Sequence, residues 1–522
     1  MLQRVDTKSP AIPADIETAL AQPGWRRDVR WPVGLEEANA VCAQQARAAL
    51  DCARGLGDPV LRDGALLALP VMLAYGRAIV LAALAVGRAE ENGSQIIGTA
   101  AEFDYLRTGH GPLPVRTEPV LPPARFGLSY ARRIARMRSW TRLSAMPRAL
   151  LSPGVVAVSH NSLLRDVAQR QRPGVGFHHA ETILDAARRR SPNAPDPSET
   201  VRALGCAIVD AASLQDPYRE RALHLIQAMV RTHLTKAARD ISALRQIALP
   251  EEVWTGSGGL YAPRAIGIEV LRRGGRVRRF DHGTPREFVA TAEITDLLEL
   301  SVSSEFTLPT EDCAANCRHV MKERAGAVKI TGGEGDPLFR RVPARRGSKA
   351  AGARPQVVYA PTQLLGFRQL VPALPPDPVH LDWQMRVAEF LNALPADFVC
   401  QAHPEGLFRG RPHPLEAVAP TRRGNFSAQL AQADVFVFDT PTTTALWEAC
   451  CTDARIVYLD MGAGRLSPAI ARLLAQRATI VPVSHGDDHR MTFDQAALRD
   501  AVLADAGPGD PLAFRRLLAG DA

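Results

Sequence analysis

Between residues 35 and 87, alanine and leucine recur at three- and four-residue spacing, with none of the alternation of a strand. That periodicity predicts helices. Within it, Gly64 to Gly87 is almost wholly apolar and long enough to tempt a membrane-span reading. Arg77 lies near its middle, at a cost of about 2.5–3.5 kcal/mol for membrane insertion. Pro70 and Gly76 interrupt the run and alanine dominates it, so two buried helices are expected. Past residue 90 the pattern changes. Ser94–Thr99, Val155–Ser159, Gly174–Phe177, Val253–Thr255 and Arg276–Phe280 are short segments that read as strands. Helical patterns separate the later ones, over 163–171, 199–213, 218–247 and 263–273. Alternation of this kind predicts a parallel sheet with helices on its faces.

Residues 343–355 are small, basic and bounded by proline, as a linker is. A second alternating series follows: strands at Gln356–Ala360, Asp397–Gln401, Asp434–Phe438 and Arg455–Leu459, with an amphipathic helix over 381–394. The expected organisation is a helical region (1–90) packed on a first α/β unit (91–342), the linker (343–355) and a second α/β unit (356–522). Ligands of such units bind at the carboxyl ends of the strands.

Composition narrows this picture. With 46% apolar and 23% charged residues the chain can fill two cores. A net charge of +8 points to anionic partners. No aromatic RNA-binding motif or zinc-finger spacing occurs, which disfavours nucleic acid. The eight cysteines are scattered and read as reduced, packed thiols. The first residues, Met-Leu-Gln-Arg-Val-Asp, lack the apolar core of a signal peptide, so a cytoplasmic protein is expected.

The turns after the predicted strands carry the candidate chemistry. The most informative is Asp439-Thr440-Pro441-Thr442-Thr443-Thr444, which leads into a helix bearing Glu448. Hydroxyls and free N–H groups at a helix start make an anion site. Glu448 lies one turn further on, on the face of Thr444, placed for a ribose hydroxyl. The plain alternative is an N-cap with a capping-box glutamate. Gly256-Ser257-Gly258 lets backbone approach a ligand closely, or simply turns tightly. Thr362 and Gln363 follow one strand, and His403-Pro404 another. His403, held extended by the proline, could donate a charge-assisted hydrogen bond to a phosphate. Asp281-His282-Gly283 supplies either a histidine base oriented by the aspartate, an aspartate base, or a capping histidine. His160-Asn161 and His178-His179 read as structural. The sequence contains no obvious metal-binding Asp-x-Asp, and neither a metal nor a cofactor is expected.

Taken together, Val357–Thr362, His403-Pro404 and Asp434–Asp439 before a hydroxyl-rich turn resemble the donor domain of CDP-glycerol glycerophosphotransferases. The His-Pro pair with that turn is also similar to bacterial sialyltransferases and Kdo transferases of the GT-B fold. The Asp281-His282-Gly283 turn resembles the base-bearing turns of both groups. The resemblance covers about residues 250–460. It implies an α/β, GT-B-like protein with two Rossmann-like domains and a cytidine-activated donor. It places His403 and Pro404 at the cytidine phosphate, Thr440, Thr442, Thr443 and Thr444 on phosphate oxygens, Glu448 on the ribose, and Asp281 or His282 as the acceptor-side base. Two departures bear on donor identity: the family's paired serines are threonines after Pro441, and its Gly-x-Pro is replaced by Thr452-Asp453-Ala454-Arg455.

The expected function is therefore transfer of a sugar, a nonulosonic or ulosonic acid, from a CMP donor to a surface-glycan, lipid-linked or protein acceptor. The alternatives are a CDP-polyol phosphotransferase, a sugar-nucleotide 2-epimerase and a catalytically silent GT-B partner. Over residues 130–151, six arginines alternate with Ile134, Met137, Trp140, Leu143, Met146 and Leu150. That pattern is a basic amphipathic helix, either a solvated face over a core or a dock for an anionic membrane surface.

Overall fold

The structure, a computed structural model, describes residues 11–114, 155–170, 174–190, 193–283, 286–324, 326–344, 354–370, 372–504 and 509–521. The basic segment 130–151 and most of the linker lie outside the described residues. The fold is mixed α/β with parallel sheets, about 49% helix.

Two short strands, β1 (Ala11–Pro13) and β2 (Gln95–Ile97), pair in parallel beside the helical region. The first large sheet is built from β3 (Val155–Ala157), β4 (Gly176–Phe177), β5 (Glu252–Thr255), β6 (Arg276–Phe280), β7 (Glu305–Leu308) and β8 (Lys329–Gly332). Its order is β4-β3-β5-β6-β7-β8, and every pair is parallel. The second comprises β9 (Gln356–Ala360), β10 (Asp397–Gln401), β11 (Thr421–Arg422), β12 (Val435–Phe438), β13 (Arg455–Asp460), β14 (Ala478–His485) and β15 (Met491–Phe493). Its order is β11-β10-β9-β12-β13-β14-β15, with only the β14–β15 pair antiparallel. All four residues of β12 are buried, as expected of a central strand covered on both faces.

The apolar run predicted as two helices is one, Pro59–Glu91. Asp58 caps it by accepting the N–H groups of Val60 and Leu61, and Pro59 stands at its first turn. Pro70 lacks the N–H that would bond Leu66's carbonyl. The helix continues because the buried Arg264 takes that carbonyl instead, with Nε 2.9 Å from the oxygen. The same guanidinium donates to the carbonyls of Gly258, Leu298 and Leu297 and to Ser301. Leu297 and Leu298 end the Ala292–Leu298 helix, so Arg264 also serves carbonyls that a helix terminus leaves free.

This long helix is the one among the described residues with the length and composition to cross a membrane, and 78% of its most apolar window is buried within the protein. Its glycines explain the fit. A Cβ at Gly64 would lie 3.1 Å from the backbone of Ala238, and one at Gly87 would lie 3.0 Å from the Tyr218 ring. Both neighbours belong to the Tyr218–Leu244 helix, which lies alongside.

The helical region, expected to pack on the first unit, bridges both. Arg54 bonds Asp296 on one side. On the other, Arg26 bonds Glu389 in a fork, Asn39 accepts the N–H of Ala373, and Ala74's carbonyl accepts that of Gln369. The chain end also crosses over. Leu517's carbonyl accepts from Thr310, and Leu518's accepts from Asp336 N. The second unit drawn from the sequence therefore ends in a tail shared with the first.

Replacing Arg264 strands several buried carbonyls, each worth about 1–3 kcal/mol when unpaired. Arg264→Met is expected to lose roughly 3 kcal/mol or more in chemical denaturation. Pro70→Ala supplies an N–H for Leu66, so in its background the loss shrinks by about 1 kcal/mol. Equal losses in both backgrounds would show that the proline and the arginine are not coupled.

Candidate functional site

A cavity of about 490 Å³ opens at the carboxyl ends of β9, β10 and β12. Its floor is Ala360–Gln363 after β9, Gln401–Pro404 after β10, and Thr442–Ala445 with Glu448 after β12. Gly424, Asn425 and Phe426, after β11, close one side. Val289, Ile294 and Leu298 face it from the segment that follows β6. That segment is held against the second sheet's unit. Val289 bridges Leu466, Ala290 N donates to Arg465's carbonyl, and the Phe288 ring meets Trp447 edge-on at 4.9 Å.

Of the fourteen site residues predicted from sequence, eight line this cavity: Thr362, Gln363, His403, Pro404, Thr442, Thr443, Thr444 and Glu448. One buried group positions two of the strand ends. Asp439 accepts the Tyr359 hydroxyl at 2.6 Å and the Thr362 N–H at 3.1 Å, joining the ends of β9 and β12. Burial pushes its pKa up to about 6.

Thr440 does not reach the cavity. It is fully buried, and its Oγ1 pairs with that of Thr442 at 2.9 Å while accepting the Thr442 N–H. Its role is to hold the turn. Thr443 caps the Thr444–Cys450 helix by accepting the Ala445 N–H. That helix has seven residues, and Thr442, Thr443 and Thr444 at its start are half-buried, turned toward the cavity that they line.

Glu448 is not a capping-box residue. Its Oε1 accepts the Ser427 hydroxyl at 3.2 Å. Burial, reinforced by the nearby Asp336, raises its pKa to about 7. It therefore holds its proton into the neutral range and can donate as well as accept. His403 departs from expectation in charge. Burial lowers its pKa, which disfavours the charged imidazolium and with it a charge-assisted bond. Its Nδ1 lies 3.2 Å from the Glu405 nitrogen and 3.3 Å from the Glu405 carbonyl oxygen, so Glu405 holds the ring by its backbone.

Gly256, Ser257 and Gly258 lie away from this wall. A Cβ at Gly256 would fall 2.7 Å from the His160 carbonyl carbon, and one at Gly258 would fall 1.7 Å from Leu298's oxygen. These glycines admit the protein's own backbone, not a ligand's. Asn161 organises the same region. Its Nδ2 donates to the carbonyls of Gly256, Phe280 and Asp281, tying the ends of β5 and β6 to the start of the Ser162–Arg170 helix, which follows β3. Nothing in its sequence context marks it beyond a position after a strand.

Asp281 and His282 do not line the cavity but stand next to it. Gly283 has φ +84°, and a Cβ there would lie 3.7 Å from Thr444 Cγ2. Asp281 is buried, and its Oδ2 accepts the Gly283 N–H at 3.1 Å. It shapes the turn. His282 is half-buried and is the more accessible of the two.

Compared with known proteins, the chain matches no family model and no curated protein. The reading of the site therefore rests on its own geometry.

Glu448 gives this site a pH signature. Its folded pKa is raised, so the penalty for burying it is absent below about pH 4.5 and grows as pH climbs through about 7. Glu448→Gln removes that titration. Relative to the parent, the variant is expected to gain on the order of 2–3 kcal/mol between pH 4.5 and pH 8. Denaturation at several pH values measures this, and a constant difference would mean that Glu448 titrates normally.

Proposed function

We propose that the protein is a glycosyltransferase of the GT-B type that uses a cytidine-activated sugar donor, with its two parallel-sheet units facing one another across the cavity. The observation that carries this reading is the convergence of three separate strand-end turns and an ionisable carboxyl on one cavity. Its volume of about 490 Å³ is within the size range of small-molecule sites.

In this reading the nucleotide lies along the ends of β9 and β10. Thr442, Thr443 and Thr444 donate to the donor phosphate. His403 donates from Nε2, and Glu448 meets a ribose hydroxyl. The acceptor approaches from the side of the Asp281–Gly283 turn. Its hydroxyl attacks the anomeric carbon, the bond from that carbon to the phosphate oxygen breaks, and the hydroxyl proton passes to His282. Asp281 fixes the turn that carries the base. The threonine hydroxyls and the His403 donor stabilise the charge that develops on the departing phosphate. An acceptor that is a glycan, a lipid-linked saccharide or a protein fits equally well, and the cytoplasmic location expected from the sequence belongs to the same proposal.

CMP and CDP are expected to raise the unfolding temperature more than UMP, UDP or GDP at equal concentration. A ligand at ~100 times its dissociation constant adds about 2.7 kcal/mol to stability. Thr443→Val and Glu448→Ala should reduce the CMP shift. His282→Ala should leave it intact while lowering turnover of a CMP-sugar ~10²–10⁴-fold. Equal shifts with every nucleotide would remove the cytidine assignment, and unchanged turnover in His282→Ala would remove the base.

A further inference from the structure

The loop after β9 has a cavity on each side. Leu374 lines both. The second cavity, about 320 Å³, lies between the helical region and the second sheet's unit. Trp31, Leu35, Leu81, Phe103, Phe367 and Val379 form much of its wall. The Phe103 and Phe367 rings meet edge-to-face with centroids 5.5 Å apart.

Most polar side chains on this wall are already bonded to protein, and the half-buried His489 ring packs against Gly34. Asp377 accepts the N–H groups of Leu365 and Gly366. Gln369 spends its amide on Leu370 and Leu374, donating to one carbonyl and accepting two N–H groups. Asp15 accepts from Thr18 and Thr99. Glu17, Arg368 and His485 are exposed. Apart from the His489 ring, a polar ligand would have to give up water for groups that are engaged, which is unfavourable. An apolar one loses nothing. An engineered apolar cavity of about 150 Å³ takes up benzene, and this one is roughly twice that size.

We infer that this cavity binds a hydrocarbon chain, the apolar part of an amphiphile whose head group stays at the exposed rim. The inference does not depend on the nucleotide reading of the neighbouring cavity. The test is calorimetric titration of the full chain with hexanol, octanol and decanol. Saturable one-to-one binding is expected, tightening about fourfold per added methylene, the equivalent of ~0.8 kcal/mol for each buried CH2. Decyl phosphate, compared with decanol, tells whether an anionic head is accepted at the rim. Ala78, in the Pro59–Glu91 helix, and Ala100, the N-cap residue of the Ala101–Thr108 helix, stand at the cavity wall. Ala78→Phe and, separately, Ala100→Phe are each expected to weaken decanol binding at least about tenfold by filling the space. Circular dichroism checks that each variant is folded. A series without chain-length dependence overturns the inference, whatever the variants do. So does a folded pair of variants that binds decanol as the parent does.

Discussion

A single buried guanidinium, that of Arg264, lets the long helix, the first sheet and the cavity wall coexist. It is completely enclosed, and burial, with Arg279 nearby, lowers its pKa to about 9. Keeping a cation there is costly. The cost is offset because its partners are buried carbonyls: Leu66 opposite Pro70, Gly258 in the glycine turn, and the last carbonyls of the Ala292–Leu298 helix, of which Leu297's also accepts the Ser301 hydroxyl. Leu298 and Ile294 of that helix face the strand-end cavity. The geometry of the cavity therefore depends on a residue outside it.

A second buried group works on the other wall. Asp439 sits at the end of β12 and reaches across to β9 through Tyr359 and Thr362. His380 lies 4.0 Å from the same carboxylate, and burial lowers its pKa to about 3, so it contributes no positive charge. The carboxylate is thus held by hydrogen bonds from neutral groups. That explains how a turn rich in small hydroxyl residues keeps a fixed shape. Thr440 and Asp439 form its rigid base, and Thr442, Thr443 and Thr444 are left to face outward.

The strands legible in the sequence were those that alternate with helical patterns along the chain. Arg276–Phe280, Gln356–Ala360 and Asp397–Gln401 keep the predicted bounds. β7 and β8 were not foreseen, because four residues such as Lys-Ile-Thr-Gly carry too little apolar periodicity. β14 is long but largely exposed and escaped the same way. The eight predicted residues that line the cavity could be read because they follow recognisable strands. The exceptions, Gly256 to Gly258 and Thr440, show where local reading fails: whether a glycine or threonine faces a ligand or the protein depends on distant backbone. Asn39 and Arg264 were invisible for the same reason, since each serves carbonyl or amide groups far away in sequence, whereas Asn161 was read as structural from its place after a strand. The second cavity joins residues from Ala14 to Met491, and no local pattern announces it.

The central claim is that the strand-end cavity beside the threonine turn holds a cytidine nucleotide. Hydrogen–deuterium exchange with and without saturating CMP tests it most directly. The account predicts slower exchange in peptides covering residues 360–363, 402–406 and 440–448, and no change over 256–258. Protection confined to other segments, or none at saturating CMP, would contradict it.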